Sequence, residues 1–217
     1  MNEHNIKNVA LGCRCGKLQG SLTYVSPNNC NRVICYCEDC RAFLHHLGRV
    51  DLLDAAGGTE VIQVAPQTVT FEHGTGSIAC VRLTPNGLYR WYANCCNTPL
   101  GNTLTPSVPF IGMPWEVFRG APDTRSRDES FGKVRAASFS KSAQGQIQEG
   151  VPKAGLKHLL HMMRLMLEWK IRGKAWPHPF FDRNSNAPKY PIAILSSDER
   201  KSLQVMSQRA QRSPTAD

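Results

Sequence analysis

Three cysteines, Cys35, Cys37 and Cys40, have the spacing of a metal site within a single short stretch. A tight turn can direct three sulfur atoms at one point, at the Zn–S bond length of about 2.3 Å. Three protein ligands leave one position of a tetrahedral zinc ion open, and an open position distinguishes catalytic from structural zinc. Ordinary buried thiols are the alternative, but clustered cysteines at this spacing favour the metal site.

Two more groups of cysteines lie near the two ends of the N-terminal half. Cys13 and Cys15 are two residues apart, so an extended backbone turns both to one face, where one metal ion can bind them. Cys95 and Cys96 directly follow a strand-like run. If a sheet brings these groups together, the chain has the ligands for a second metal ion.

The composition indicates a globular protein. Its 217 residues suit one domain, or one domain with an appendage, and can bury a core without disulfides. The N-terminus lacks the apolar stretch of a signal peptide and no run spans a bilayer, so we expect a cytoplasmic protein. In a reducing compartment, nine cysteines favour metal binding over disulfides.

The net charge of +9 is uneven, because residues 1–100 carry +1 and residues 101–217 carry +8. We interpret the basic half as a solvated surface and do not expect nucleic acid as the partner. The oligomeric state is left open by the sequence.

Alternating patterns predict a mainly β core. Strand-like runs cover 18–25, 61–64, 68–73, 78–83 and 88–92. Turns at 74–76 and at Pro85-Asn86-Gly87 predict antiparallel pairing of the consecutive strands on either side. Such a sheet brings the cysteine groups at the start and end of this region together.

The C-terminal half is predicted to contain an irregular, loop-rich segment over 102–150, followed by a helical extension over 151–217 that packs on the β domain. Residues 153–172 have helical periodicity. A basic amphipathic helix that lies on a membrane or a partner is the alternative. The apolar positions that we expect to pack on the β domain are Leu156, Leu159, Leu160, Met163, Met166, Leu167 and Ile171.

Together these motifs resemble the family of glutathione-dependent formaldehyde-activating enzymes and centromere protein V. The resemblance covers residues 9–101 and marks the chain as a divergent member. It implies a compact β-tent of zinc-bound antiparallel sheets, here with a C-terminal α-helical extension. It also implies two zinc sites, one structural and one associated with catalysis.

The resemblance assigns roles by position. Cys13 and Cys15 match the first structural pair, and Cys96 matches the last structural element. The three residues that match the catalytic site are Cys35, Cys37 and Cys40. The chain departs from the pattern at Ala93, where the family has cysteine, and at Asn97, where it has glycine. We therefore expect Cys95 as the fourth structural ligand, with a water molecule or an absent metal as alternatives.

The activity implied by the resemblance is a carbon–sulfur lyase reaction that joins formaldehyde to glutathione as S-hydroxymethylglutathione. The expected substrate is a small thiol or aldehyde, with glutathione as the example that the resemblance supplies. The expected cofactor is one or two Zn²⁺ ions. A non-catalytic, zinc-stabilised binding module for protein or nucleic acid is the alternative. A third class is a redox or metal-handling protein that uses the surplus thiols Cys30 and Cys80.

Three other residues near the central cysteines invite a role. Arg41 can steer a substrate carboxylate, although an ion pair within the fold is the simpler prediction. His45 and His46 point to opposite faces of an extended segment, so at most one can serve the metal site. We expect both histidines to be packed or exposed rather than ligands.

Overall fold

The computed structural model of the chain describes residues 7–209, with side chains through residue 207. Within this range the chain forms eleven strands and four α-helices. The strands are β1 (Lys7–Gly12), β2 (Gln19–Val25), β3 (Asn31–Cys35), β4 (Thr59–Val64), β5 (Val69–His73), β6 (Ile78–Arg82), β7 (Tyr89–Ala93), β8 (Thr98–Thr103), β9 (Ile111–Pro114), β10 (Ala136–Ser138) and β11 (Ile192–Ile194). The helices are α1 (Glu38–His46), α2 (Thr124–Phe131), α3 (Leu156–Ile171) and α4 (Ser197–Arg209).

The strands form two sheets, which confirms the predicted mainly β class. A three-stranded antiparallel sheet has the order β1-β2-β5. An eight-stranded sheet has the order β10-β3-β4-β9-β8-β7-β6-β11, antiparallel except at its edges, where β10 and β11 pair in parallel. The main core contains side chains from both sheets, among them Leu22, Ile62 and Trp91.

The hairpin predicted at 85–87 is confirmed, but the one predicted at 74–76 is wrong. Strands β6 and β7 pair in antiparallel, whereas β5 pairs with β2 in the other sheet. Gly74 has φ +69°, and a Cβ atom there would lie 2.0 Å from the carbonyl oxygen of Lys17. Only glycine fits this close approach, and the chain crosses between the sheets at this point.

The segment 102–150, predicted as irregular, contains β9, α2 and β10. All four residues of β9 are buried and the strand pairs with β4, so no alternation of polar and apolar residues marks it. Helix α2 begins at Asp123, whose carboxylate accepts from the backbone N–H of Ser126 at 2.8 Å in a capping box. The division of the chain into a domain and two further segments otherwise stays a prediction.

Helix α3 turns a different face to the sheets from the one predicted. It is anchored by Leu165 and Trp169, which are buried against Ala65. Trp169 carries the largest apolar surface of the helix and, once buried, fixes which face turns inward. Of the seven apolar positions predicted to pack inward, Met166 is half-buried and six are exposed, namely Leu156, Leu159, Leu160, Met163, Leu167 and Ile171.

The aromatic segment after α3 also attaches the extension, because two of its side chains belong to the main core. Phe180 and Phe181 are buried, and the Phe180 ring stacks on that of Trp91 at 4.6 Å between centroids. Residues 210–217 of the predicted extension lie outside the described residues. None of the helices between residues 7 and 209 is long and apolar enough to cross a membrane.

The last two elements support α1 from the side. Strand β11 lies beside β6, and α4 packs on α1. Leu195 and Leu203 share one apolar cluster with Phe43 and Leu47 of the α1 region. The extension is therefore part of the packing that holds α1 in position.

A buried ion pair joins the turn after α1 to the chain that follows β9. Both Arg49 and Glu116 are buried, and the guanidinium donates two hydrogen bonds of 2.6 Å to the carboxylate. Two parallel bonds fix the geometry as well as the charge balance. Asp51 is a second, more exposed partner of Arg49.

We expect Glu116→Gln to lower the free energy of unfolding by about 3–5 kcal/mol, because it leaves a buried guanidinium short of its counter-charge. Urea denaturation of the full chain measures this. The matched control is Arg125→Gln, which removes an exposed ion pair to Glu129 and should change stability by about 0.5 kcal/mol or less. Equal effects of the two substitutions would contradict the role given to Glu116.

Candidate metal centres

The first candidate centre, called here the three-thiol cluster, consists of Cys35, Cys37 and Cys40. Cys35 ends β3, Cys37 is the N-cap of α1 and Cys40 lies in its first turn. The Cys35 sulfur is 3.4 Å from that of Cys37 and 3.6 Å from that of Cys40. The structure therefore brings the three predicted site residues together, close enough to bind one metal ion.

The helix start favours negative charge on these sulfurs. The Cys37 sulfur accepts a hydrogen bond from the backbone N–H of Cys40 at 3.3 Å, as an N-cap side chain does. The positive end of the helix dipole lies at the same place and stabilises a thiolate.

Tyr36 anchors the short link between Cys35 and Cys37. Its ring is buried and its hydroxyl donates to Asp54 at 2.8 Å. A Cβ atom on Gly58 would lie 2.4 Å from this ring, so the ring packs directly on the backbone there. The buried Tyr36 side chain thus fixes the backbone between Cys35 and Cys37.

The sequence analysis missed Arg90, which is the charged neighbour of the three-thiol cluster. It lies on β7 and is 1% exposed. Its Nη1 atom is 3.8 Å from the Cys40 sulfur and donates to Asn102 Oδ1 at 3.3 Å, while Nη2 lies 3.5 Å from Asp39. The available signal was an arginine within the apolar and aromatic run 88–92.

The three sulfurs of this cluster shift one another's pKa values. Hydrogen bonds from Cys35 and Cys37 hold the pKa of the Cys40 thiol well below its ordinary value, and the Arg90 guanidinium lowers it further. Hydrogen bonds to Cys37 and Cys40 and burial raise the pKa of the Cys35 thiol. The first negative charge therefore settles on Cys40, beside the buried cation.

A cavity of about 490 Å³ opens beside the three-thiol cluster. Its size is that of a site for a small molecule. Phe139 lies on its wall, is largely exposed and has φ 54°, a left-handed conformation that is rare for a bulky residue and recurs at functional sites. The walls consist of Val33, Cys35, Cys37, Glu38, Asp39, Cys40, Val61, Gln63, Leu88, Arg90, Asn102, Phe110, Gly112, Ser138, Phe139 and Ser142.

The second candidate centre, called here the four-thiol cluster, joins the turn after β1 to the β7–β8 turn. The Cys95 sulfur lies 3.8 Å from that of Cys13, 3.4 Å from that of Cys15 and 3.8 Å from that of Cys96. All four sulfurs lie within 4.8 Å of one another. The four residues predicted to hold the second ion are thus adjacent in space.

Ala93 and Asn97 are the two positions at which the sequence departs from the pattern that it resembles. Ala93 is buried in β7. Cys95 lies in the turn that follows β7, and from there its sulfur reaches the cluster. Asn97 has φ 55°, a left-handed conformation that asparagine tolerates better than most residues other than glycine.

Cys96 has a lowered pKa within the four-thiol cluster. Burial by itself raises its pKa, but hydrogen bonds from the Thr98 hydroxyl and from Cys15 outweigh burial and bring the pKa to about 6. The Thr98 hydroxyl lies 3.2 Å from the Cys96 sulfur. It also accepts from the backbone N–H of Arg14 at 2.9 Å and so ties the two turns together.

The other singled-out residues lie outside both clusters. His45 is half-buried and His46 exposed, on α1 rather than on a strand. Arg41 is buried and donates to the carbonyl oxygens of Gly57 and Ser142 at 3.4 and 3.3 Å. It therefore binds backbone groups rather than the carboxylate expected within the fold, and it does not line the cavity.

The surplus thiols Cys30 and Cys80 have the properties of packing residues. Both are buried, and burial raises the pKa of each to about 12. Cys30 also donates to the carbonyl oxygen of Ser26 at 3.1 Å. Thiols with so high a pKa are poor nucleophiles, so these two do not support a redox role.

Fold and site define the class: a mainly β protein with two cysteine clusters, each able to hold a metal ion. The family described as a family of unknown function (DUF6151) matches residues 5–189. The chain belongs to this family. No curated protein matches the chain.

We expect Cys95→Ser to lower the metal content by one equivalent, because it removes a sulfur from the centre of the four-thiol cluster. Elemental analysis of protein purified without chelator measures this. The control is Cys80→Ala, a buried thiol outside both clusters, which should leave the metal content unchanged. Full metal content in the Cys95 variant would show that this residue is not a ligand.

We also expect Arg90→Met to weaken metal binding at the three-thiol cluster by about tenfold or more, because it removes a buried positive charge beside the sulfurs. Competition with a colorimetric chelator measures the affinity. The control is Arg82→Met, whose guanidinium lies over the Tyr89 ring and donates to the carbonyl of Gly87. Equal affinities of wild type and the Arg90 variant would refute this role.

Proposed function

We propose that the chain is a zinc-dependent carbon–sulfur lyase that acts on an adduct between a small thiol, such as glutathione, and formaldehyde or a related aldehyde. One observation carries the proposal. Three thiols converge on the wall of a cavity of about 490 Å³, so a metal ion held by them would lie beside a space for a small molecule. The family resemblance supplies the reaction type.

The donor sets fit zinc. Thiolate ligands select zinc or iron–sulfur centres over magnesium and calcium, which prefer oxygen. A tetrahedral ion with Zn–S bonds of about 2.3 Å separates neighbouring sulfurs by about 3.8 Å. The closest sulfur pairs of the two clusters lie 3.4 to 3.8 Å apart. The four-thiol cluster fills a tetrahedral shell and is proposed as structural, while the three-thiol cluster leaves one position for substrate.

The charges around the three-thiol cluster bear on the kind of substrate that would fit. Zinc with three thiolates carries a net charge of −1, which Arg90 offsets from a distance of 3.8 Å to the Cys40 sulfur. Arg90 also lies 3.5 Å from Asp39, so one cation is shared between the sulfurs and this carboxylate, and the rim of the cavity at Glu38 and Asp39 stays acidic. Such a rim favours a substrate that carries an ammonium group over one that is purely anionic.

Zinc bound at the three-thiol cluster would hold a substrate sulfur as its thiolate, the nucleophilic form. In the reaction a carbon–sulfur bond forms as the carbonyl pair moves to oxygen, and the thiol proton ends on that oxygen. Val61 and Phe110 supply apolar walls that exclude water from the reacting atoms. Gln63 and Asn102 place amide groups in the same cavity, where they can bind the hydroxyl of the adduct.

The proposal extends to fold family and compartment. The two sheets and the pairing of early and late cysteines support a β-tent of the formaldehyde-activating enzyme and centromere protein V type. Nine cysteines without a disulfide suit a reducing compartment such as the cytoplasm.

A non-catalytic, zinc-stabilised binding module is the second candidate. It is favoured by the charge of residues 101–217, which carry +8 and lie outside the resembling core. A binding module requires the two zinc ions only for its fold. The two functions therefore differ in what the loss of one cavity sulfur does.

We expect Cys37→Ser to abolish the acceleration of formaldehyde–glutathione exchange while the protein stays folded. Exchange NMR with and without the protein measures the rate, and circular dichroism checks the fold. The wild-type rate should exceed the uncatalysed rate by about 100-fold or more. The control is Cys30→Ala, a packing thiol that should leave the rate unchanged. A wild-type protein with two zinc ions and no acceleration would favour the binding module.

A further inference from the structure

Helix α3 presents a broad apolar face to solvent. Leu156, Leu160 and Leu167 are 71%, 56% and 60% exposed. At 100° per residue these side chains, together with Leu159, Met163 and Ile171, fall within a sector of about 120°. The anchoring residues Leu165 and Trp169 lie on the opposite side of the helix. We call the six exposed residues the α3 face.

This face is larger than the scattered apolar residues that are normal on a protein surface. Six large side chains on four turns form one continuous apolar strip, which marks an interaction site. A groove of about 520 Å³ continues the strip toward the loop that contains Val108 and Pro109. Within residues 7–209 no segment covers the face.

The charge around the face selects the occupant. Residues 153–174 contain six lysines and arginines and a single acid, Glu168. Glu168 is already paired with Arg164 and Arg172, at 3.4 and 3.5 Å. At 100° per residue Lys157 and Arg164 border one side of the α3 face and Lys170 lies within its sector, so two copies that met through this face would bring like charges together, which is unfavourable. An anionic surface meets the same border with favourable charge.

We propose that the α3 face is a membrane-docking surface, on which the helix lies in the plane of an anionic phospholipid bilayer. Leucine, isoleucine and methionine side chains enter the boundary between headgroups and acyl chains, and lysines and arginines meet the phosphates. The exposed side chains point away from the anchoring residues, so the helix can dock without leaving the sheets. This inference does not depend on the proposed enzymatic function, because it uses neither cysteine cluster.

Vesicle co-sedimentation of the full chain tests the proposal. We expect binding to vesicles with about one third phosphatidylserine, at least about tenfold weaker binding to pure phosphatidylcholine, and a loss of affinity between about 0.1 M and about 0.5 M salt. Leu160→Gln/Leu167→Gln should weaken binding about tenfold or more. The matched control is Val205→Gln/Met206→Gln, two exposed apolar residues on α4, which should bind as wild type does.

Three results would overturn the proposal. The first is no binding to either vesicle, and the second is binding that both double variants weaken equally. The third is a wild-type protein that does not bind vesicles and forms a dimer in solution, which Leu160→Gln/Leu167→Gln dissociates. This result would assign the face to a second copy of the chain. Light scattering after size exclusion measures the mass in each case.

Discussion

The crowding of seven sulfur atoms into two groups is the constraint on which the site depends. Within each group the nearest sulfurs lie 3.4 to 3.8 Å apart, too far for a disulfide and too close for several uncompensated thiolates. A cation must replace their protons for the groups to stay ionised together. Arg90 supplies one positive charge at the three-thiol cluster, and a metal ion, which both clusters could hold, would supply the rest.

Much of this arrangement could be predicted because it is set by short-range geometry. Cys35, Cys37 and Cys40 meet through a turn and the start of a helix, and their spacing alone indicates this. Cys95 could be proposed as the fourth ligand because its neighbour Cys96 matches the element that shares a metal site with Cys13 and Cys15. The turn after β1 and the β7–β8 turn then meet, so that the sulfurs of Cys15 and Cys95, 80 residues apart, lie 3.4 Å from each other.

Other features are decided by tertiary competition and leave a weak trace in the sequence. Helix α3 has two candidate apolar sides, and burial of Trp169 decides between them, so the more continuous stripe turns to solvent. The turn at Gly74 looks like a hairpin, but its backbone approaches Lys17 so closely that the chain passes to the other sheet. Arg90 is hidden because an arginine in a strand is usually read as surface.

The walls of the cavity connect the resembling core with the rest of the chain. The wall that carries the thiols comes from residues 33–40 and from Arg90, inside the core, whereas Phe110, Ser138 and Phe139 lie beyond residue 101. Phe139 is held in a left-handed conformation at this wall. Segment 102–150 therefore completes the cavity beside the thiols, and β9 and β10 bind that segment to the same sheet that carries the three-thiol cluster.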